Sequence, residues 1–357
     1  MKKFVEALWR LMMIVDRFIR IHFIIFSCML PLLGASTVRP KLRFSEILAL
    51  LGVGMCFHIY AYVLNDVVDL PIDRTQALRQ TDPLVRGTIR RWQALLVALA
   101  QIPLTIPLTM WLGGGLAAHV AILVGFVGMA IYNVWGKRNR VPPVTDAVQG
   151  MAWGSLAIYA AYAIGGAPNV LTWIVGAYGA GFILLINGIH GGLRDLANDL
   201  ASGARTTAIF LGARPVDGAP PRVPAGVPFF AYAVSLGLAL LSIIPLARND
   251  FGYSQGVRVA MLLIIGACNV VALVMLRTVV RPVTGVLWDI VFRVQMLIVL
   301  LILPGTFAPF VSSEVLWTII VLEFVSLLPL EWTYRILRLV ALRGAPGRSY
   351  EFRADAR

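Results

Sequence analysis

The chain has 357 residues, of which 59% are hydrophobic and only 14% charged, and its mean hydropathy is +0.81. That balance excludes an ordinary soluble domain, where about a quarter of residues carry charge. The net charge of +13, from 31 Lys and Arg against 18 Asp and Glu, is dispersed over alternate loops; that distribution argues against a nucleic-acid partner and for a lipid bilayer.

In chain order, the first twenty residues interleave Lys2, Lys3, Arg10, Asp16, Arg17 and Arg20 with apolar residues, which predicts an amphipathic interfacial helix instead of a cleavable signal peptide. Apolar stretches long enough to cross roughly 30 Å of hydrocarbon follow at 21–38, 45–64, 92–112, 115–135, 144–164, 169–189, 226–246, 257–278, 286–306 and 313–333. Their even apolar character predicts helices; a barrel would alternate in shorter segments. The expected fold is all-α: a polytopic membrane helical bundle of nine to ten transmembrane helices around a central cavity, with 1–343 as one domain. Beyond Arg343 the sequence turns polar (Gly344, Pro346, Gly347), predicting a cytoplasmic tail at 344–357. Cys28, Cys56 and Cys268 lie in apolar spans without metal-type spacing and read as small core residues.

Basic residues concentrate at the N-terminus and at 74–91, 137–140, 194–222, 277–281 and 335–357, whereas the loops near 113, 167 and 308 have none. This places the termini in the cytoplasm of an integral membrane protein, expected in a bacterial inner membrane, and favours an even count of ten spans. Arg39, Lys41 and Arg43 break the alternation, and Glu323, near the middle of the tenth span, needs a partner or an inward position.

Acidic residues are scarce, yet two clusters sit at the cytoplasmic ends of spans. Asp66, Asp69 and Asp73 are three and four residues apart, and Asp195 and Asp199 are four apart, so each set shares a helical face. Pro71 is expected to interrupt the first helix and set Asp73 on a new turn. Unpaired carboxylates in such numbers repel one another. Mg2+, which combines a few carboxylates with substrate phosphate oxygens, resolves the repulsion and would bring a diphosphate with it. Before the second cluster, Asn187, His190 and Arg194 fall on one face. Such a stripe orients an acceptor and lets His190 take a proton; a satisfied structural histidine is the equal alternative.

The run Asn65-Asp66-xx-Asp69-xxx-Asp73 resembles the first signature of the UbiA superfamily of intramembrane prenyltransferases, and Asp195-xxx-Asp199-xxx-Gly203-xx-Thr206 resembles the second. Pro83-Leu84-Val85-Arg86-Gly87 is similar to the segment after motif one, and Tyr132 with Lys137-Arg138 to the segment between helices four and five. The resemblance implies a nine-helix bundle holding an isoprenyl diphosphate through two Mg2+ ions. Asp66, Asp69 and Asp73 would serve one ion, Asp195 and Asp199 the other, with Asn65 assisting. Asp82 stands where the family usually has Arg before Pro-Leu, Ser202 stands where a Lys is common, and a tenth span exceeds the usual count. The expected chemistry is ionisation of an allylic diphosphate. Arg86, Lys137, Arg138, Arg194 and Arg205 are the candidate cations for the leaving group, although Lys137 and Arg138 read equally as topogenic charge. Tyr132 is a candidate for facing the allylic cation or, alternatively, ordinary packing. The expected activity is Mg2+-dependent transfer of the isoprenyl group to an aromatic or other small cyclic acceptor, with acceptor-free terpene cyclisation as the alternative.

Overall fold

The computed structural model describes residues 14–76, 79–216, 219–281 and 286–327. Residues 14–19 are helical and lead through a single turn into α1 (Ile24–Val38). There follow α2 (Phe44–Asp73), α3 (Arg91–Trp111), α4 (Leu116–Trp135), α5 (Pro142–Ala163) and α6 (Val170–Leu185). The helix that begins as α6 then widens into a π-helical turn at Ile186–Gly191 and ends with Gly192–Arg194. Two short helices, α7 (Leu196–Ala201) and α8 (Thr207–Phe210), precede an antiparallel hairpin of β1 (Arg214–Val216) and β2 (Ala219–Arg222). Four long helices complete the described chain: α9 (Gly226–Arg248), α10 (Gln255–Val279), α11 (Val286–Phe307) and α12 (Ser313–Leu327).

Each of the ten expected spans is a helix, the tenth being described only as far as 327; the tail expected at 344–357 lies outside the described residues. Among the described residues, eight helices are by themselves long and apolar enough to cross a bilayer. The protein is a polytopic, integral membrane bundle of helices, with the β1–β2 hairpin its only strands among the described residues. Its layering follows from which faces are buried. In α1, 78% of the span is buried, against 22% in α10, so α1 is central and α10 peripheral. Large apolar side chains such as Leu96, Trp111, Phe229, Leu263 and Val274 point outward, as lipid contact requires.

With lipid tails as apolar as the side chains, tight helix association depends on close backbone approach at small residues. A Cβ on Gly34 in α1 would stand 2.4 Å from the Ala157 carbonyl oxygen in α5, and one on Gly154 in α5 would stand 2.4 Å from the Gly176 oxygen in α6. The three central helices are thereby locked together. Between them Trp153 packs against Phe26, Phe57 and Tyr62, and Phe182 against Phe26. Aromatic rings therefore fill the middle of the bundle.

One expectation is corrected by local geometry. α2 runs unbroken through Pro71 to Asp73. Proline costs most deep inside a helix, and here only Ile72 and Asp73 follow it, so Asp73 keeps the helical phase of Asp66 and Asp69. The basic exception between α1 and α2 is also explained. Arg39 and Arg43 both reach the buried Glu46, with nitrogen–oxygen distances of 2.6 Å, so two of the three charges are tied to a carboxylate. Glu323 is buried, and its Oε2 has no hydrogen-bond partner among the described residues.

Candidate active site

The end of α2, the α4–α5 turn and the segment after α6 meet at one rim of the bundle. Asp66, Asp69 and Asp73 are all buried there, as is Asp199. Lys137, on the turn after α4, joins the two acidic motifs: its Nζ lies 3.1 Å from Asp69 Oδ2 and 3.6 Å from Asp199 Oδ1. The backbone reinforces the junction, because Arg205 N–H donates to the Lys137 carbonyl at 2.8 Å. Thr75, just past α2, donates to Asn198 Oδ1 at 3.3 Å. Clusters more than a hundred residues apart thus share one site. Beside them lies a cavity of about 220 Å³, lined among others by Val68, Asp69, Asn133, Lys137, Arg138 and Gly203.

Every motif carboxylate has a cation from the chain near it. Arg20 donates to Asp66 while its guanidinium carbon lies 5.3 Å from the Tyr62 ring centroid. To hold that position Arg20 adopts a left-handed backbone (φ 52°), costly for a residue with a Cβ. The carbonyls of Ile19 and Arg20 are fixed by His58 Nε2 at 2.8 and 3.1 Å. Arg79 lies 4.0 Å from Asp73 and 3.1 Å from Asp82. Arg194 chelates Asp195 at 2.9 and 2.7 Å. Asn65 donates weakly to Asp69 at 3.3 Å and to Asn133 at 3.4 Å. Asp146, at the start of α5, accepts from Thr207 after the second motif.

The electrostatics of the loop groups follow from these neighbours. Burial pushes the Asp199 carboxyl above its ordinary value; the Lys137 ammonium opposes this, and the Asp195 and Asp69 charges add to it. Burial also works against ionised Asp195, but the Arg194 hydrogen bonds and charge outweigh it and hold that carboxyl below the usual range. For Arg79 burial is outweighed by the carboxylates of Asp66, Asp73 and Asp82, which hold it above its ordinary value.

The other expected residues are more dispersed. Tyr132 packs against the core within reach of the Asp146, Asp69 and Asp199 charges. Arg138 lines the rim cavity with its side chain exposed. Arg86 and Arg205 are exposed and form no ion pair among the described residues. The stripe expected of Asn187, His190 and Arg194 does not form as one surface. The π-helical turn at Ile186–Gly191 shifts the helical phase, so the three side chains take separate partners. Asn187 donates to Gln149. His190 is fully buried, with Nε2 2.7 Å from Gln295 Oε1 and Nδ1 3.2 Å from the Leu185 carbonyl oxygen, and Phe292 edge-on. Only Arg194 reaches the acidic rim.

The donors facing the rim are oxygens, as a hard divalent cation requires, and Asp199 Oδ1 is buried without a hydrogen-bond partner. Among the described residues no three carboxylate, His or Cys groups converge on one metal position, and the Lys137 ammonium stands between the two motifs.

The UbiA prenyltransferase family model matches residues 24–273, which include both motifs and every rim residue named above except Arg20. The chain belongs to the UbiA prenyltransferase family. No curated protein sequence matches it. Solved UbiA structures share the fold. A UbiA homologue from Aeropyrum pernix K1 in the apo state is 16% identical with a TM-score of 0.63, covering 81% of this chain and 98% of its own. A UbiA homologue from Archaeoglobus fulgidus bound to GPP and Mg2+ is 17% identical with a TM-score of 0.59, covering 82% and 98%. A digeranylgeranylglyceryl phosphate synthase is 18% identical with a TM-score of 0.59, covering 82% and 97%.

Two site residues, Arg20 and Arg79, escaped the reading of the sequence. Arg20 looked like one more basic residue of an interfacial helix. Arg79 had one available signal: it precedes Asp82 by three residues, so an acid where the family usually has a base is accompanied by a base nearby.

Proposed function

We propose that this member of the family is a Mg2+-dependent intramembrane enzyme that transfers an isoprenyl group from an isoprenyl diphosphate to an aromatic or other small cyclic acceptor. The observation that carries this is the meeting of the two acidic motifs on Lys137. Solved structures of a UbiA homologue from Archaeoglobus fulgidus, similar in fold, hold GPP with Mg2+ and DMAPP with Mg2+, which supports the same donor class here. Asp66, Asp69 and Asp73 would hold one ion and Asp195 and Asp199 the other; when bound, Mg2+ supplies Lewis-acid neutralisation of charge on the leaving diphosphate.

The chain's own residues do the rest. Lys137 stands between the motifs as a point charge for the diphosphate, and Arg138, Arg194 and Arg205 surround the same rim. Tyr132, packed against the hydrophobic core, helps exclude water from the allylic end of the donor. His190, with both ring nitrogens facing protein oxygens, is assigned to positioning the π-helical turn instead of taking a proton. The alternation of basic loops supports a cytoplasmic rim, in a bacterial inner membrane, with 1–343 as the catalytic unit and 344–357 as its tail.

The test is incubation of purified protein with Mg2+ and geranyl, farnesyl or geranylgeranyl diphosphate, with and without a panel of aromatic acceptors, followed by mass spectrometry. A prenylated acceptor formed only with Mg2+ is expected. Asp66→Ala and Asp195→Ala should each cut turnover by orders of magnitude while leaving a folded protein. A cyclised hydrocarbon from the diphosphate alone would assign the cyclase instead, and full turnover in EDTA would end both readings.

A further inference from the structure

The loop between α2 and α3 carries Asp82 before Pro83-Leu84, where the family resemblance implies an Arg, and a guanidinium stands close by in the same turn. Residues 79–82 form a tight turn, with Asp82 N–H donating to the Arg79 carbonyl at 2.9 Å, so both side chains leave the turn together. Asp82 accepts from Arg79 Nη1 at 3.1 Å, and Asp73 lies 4.0 Å from Nε. The charge of Arg79 also reaches Asp66 in the first motif and Asp195 in the second. Its side chain keeps 27% exposure. A guanidinium has five N–H donors in a fixed fork, and a single hydrogen bond from Arg79, to Asp82, is formed among the described residues. The remaining donors form no hydrogen bond among the described residues, and Nε stands beside Asp73 of the first motif. Arg86, the other expected cation of this loop, is exposed and engages none of these carboxylates.

We infer that Arg79 is the loop guanidinium that binds the diphosphate of the donor, and that Asp82 is a positioning residue which aims it. The inference rests on the diphosphate reading above and adds a residue of this chain to it. Asp82 holds Nη1 and leaves N–H groups without a hydrogen bond for phosphate oxygens, where Arg gives bidentate contact and Lys a single point charge. The departure at position 82 is then an exchange of places within one turn: the base moves three residues back, and the acid left at 82 holds it.

The probe is inorganic pyrophosphate with Mg2+, binding being measured by titration calorimetry on the full-length protein in detergent. Arg79→Ala should weaken pyrophosphate at least tenfold. Arg79→Lys, which keeps a positive charge beside Asp73 and Asp82, should weaken it at least threefold. Asp82→Asn should fall between that value and wild type, while Arg91→Ala, an exposed cation at the start of α3, should stay within twofold. The assignment is overturned if Arg79→Ala or, should that variant not fold, Arg79→Lys binds pyrophosphate within twofold of wild type. It is equally overturned if Arg91→Ala loses as much as Arg79→Ala. Failure of the wild-type protein to bind pyrophosphate with Mg2+ would instead remove the diphosphate reading itself, and this assignment with it.

Discussion

Lys137→Met tests whether a side-chain cation holds the two motifs together in place of metal. In a medium of effective dielectric near 20, an ammonium 3.1 Å from Asp69 is attracted by about 5 kcal/mol, and slightly less strongly by Asp199 at 3.6 Å. Most of this gross attraction is offset by desolvation of the three groups. Breaking a fully buried pair costs about 3–5 kcal/mol. Lys137 retains 28% exposure, and solvent screening lowers the expected loss to about 2 kcal/mol. Met keeps the stem's packing, so the loss reports charge. For a chain of this size it corresponds to a fall in melting temperature of roughly 3 °C, read by thermal unfolding in detergent with EDTA. The two carboxylates left facing one another should then gain more from a divalent ion than they do in wild type, so millimolar Mg2+ should restore most of the loss in the variant and add less to wild type. Turnover should remain low even with Mg2+, because the charge facing the diphosphate is gone. Equal melting temperatures in EDTA, or an equal deficit with and without Mg2+, would refute the reasoning.

Three further outcomes are expected. Arg194→Gln removes the group that holds Asp195 below its usual value of 3.8. A depressed carboxylate contributes stability that is present above the unfolded value and lost as pH falls through the lowered folded value; the melting-temperature gap between wild type and Arg194→Gln should therefore be full at pH 7 and close as the pH is taken below 3.8. Gly154→Ala forces a Cβ to within 2.4 Å of the Gly176 oxygen and should cost about 1–3 kcal/mol, seen as a lower melting temperature with unchanged pyrophosphate affinity in the variant that remains folded. A reporter fused after Arg357 should be active as a cytoplasmic fluorescent protein and silent as alkaline phosphatase; the reverse would require an odd number of spans.

The positions of all ten helices were legible because a span is a local property: some twenty apolar residues suffice to announce it. The five carboxylates were legible for a related reason, since charge at the end of an apolar span has few structural uses. What pairs with them was not. Arg20 reaches Asp66 across 46 residues, and nothing near Arg20 distinguishes it from Arg17. The stripe through Asn187, His190 and Arg194 failed because one extra residue in a helical turn is invisible to a count by threes and fours. Pro71 misled in the opposite direction, since a helix breaker matters little where the helix is about to stop.

The ring of internal ion pairs also bears on how the protein is made. Many metal sites of dense negative charge cannot assemble until the ion arrives, so that folding waits on metal supply. Here Arg20, Arg79, Lys137 and Arg194 shield the acids from one another, and each cation belongs to the same polypeptide. A newly inserted chain can close its helices around the rim with no ion present and receive Mg2+ afterwards by exchange. Stripping the metal should accordingly leave a dormant enzyme, ready for reloading, in place of an unfolded one.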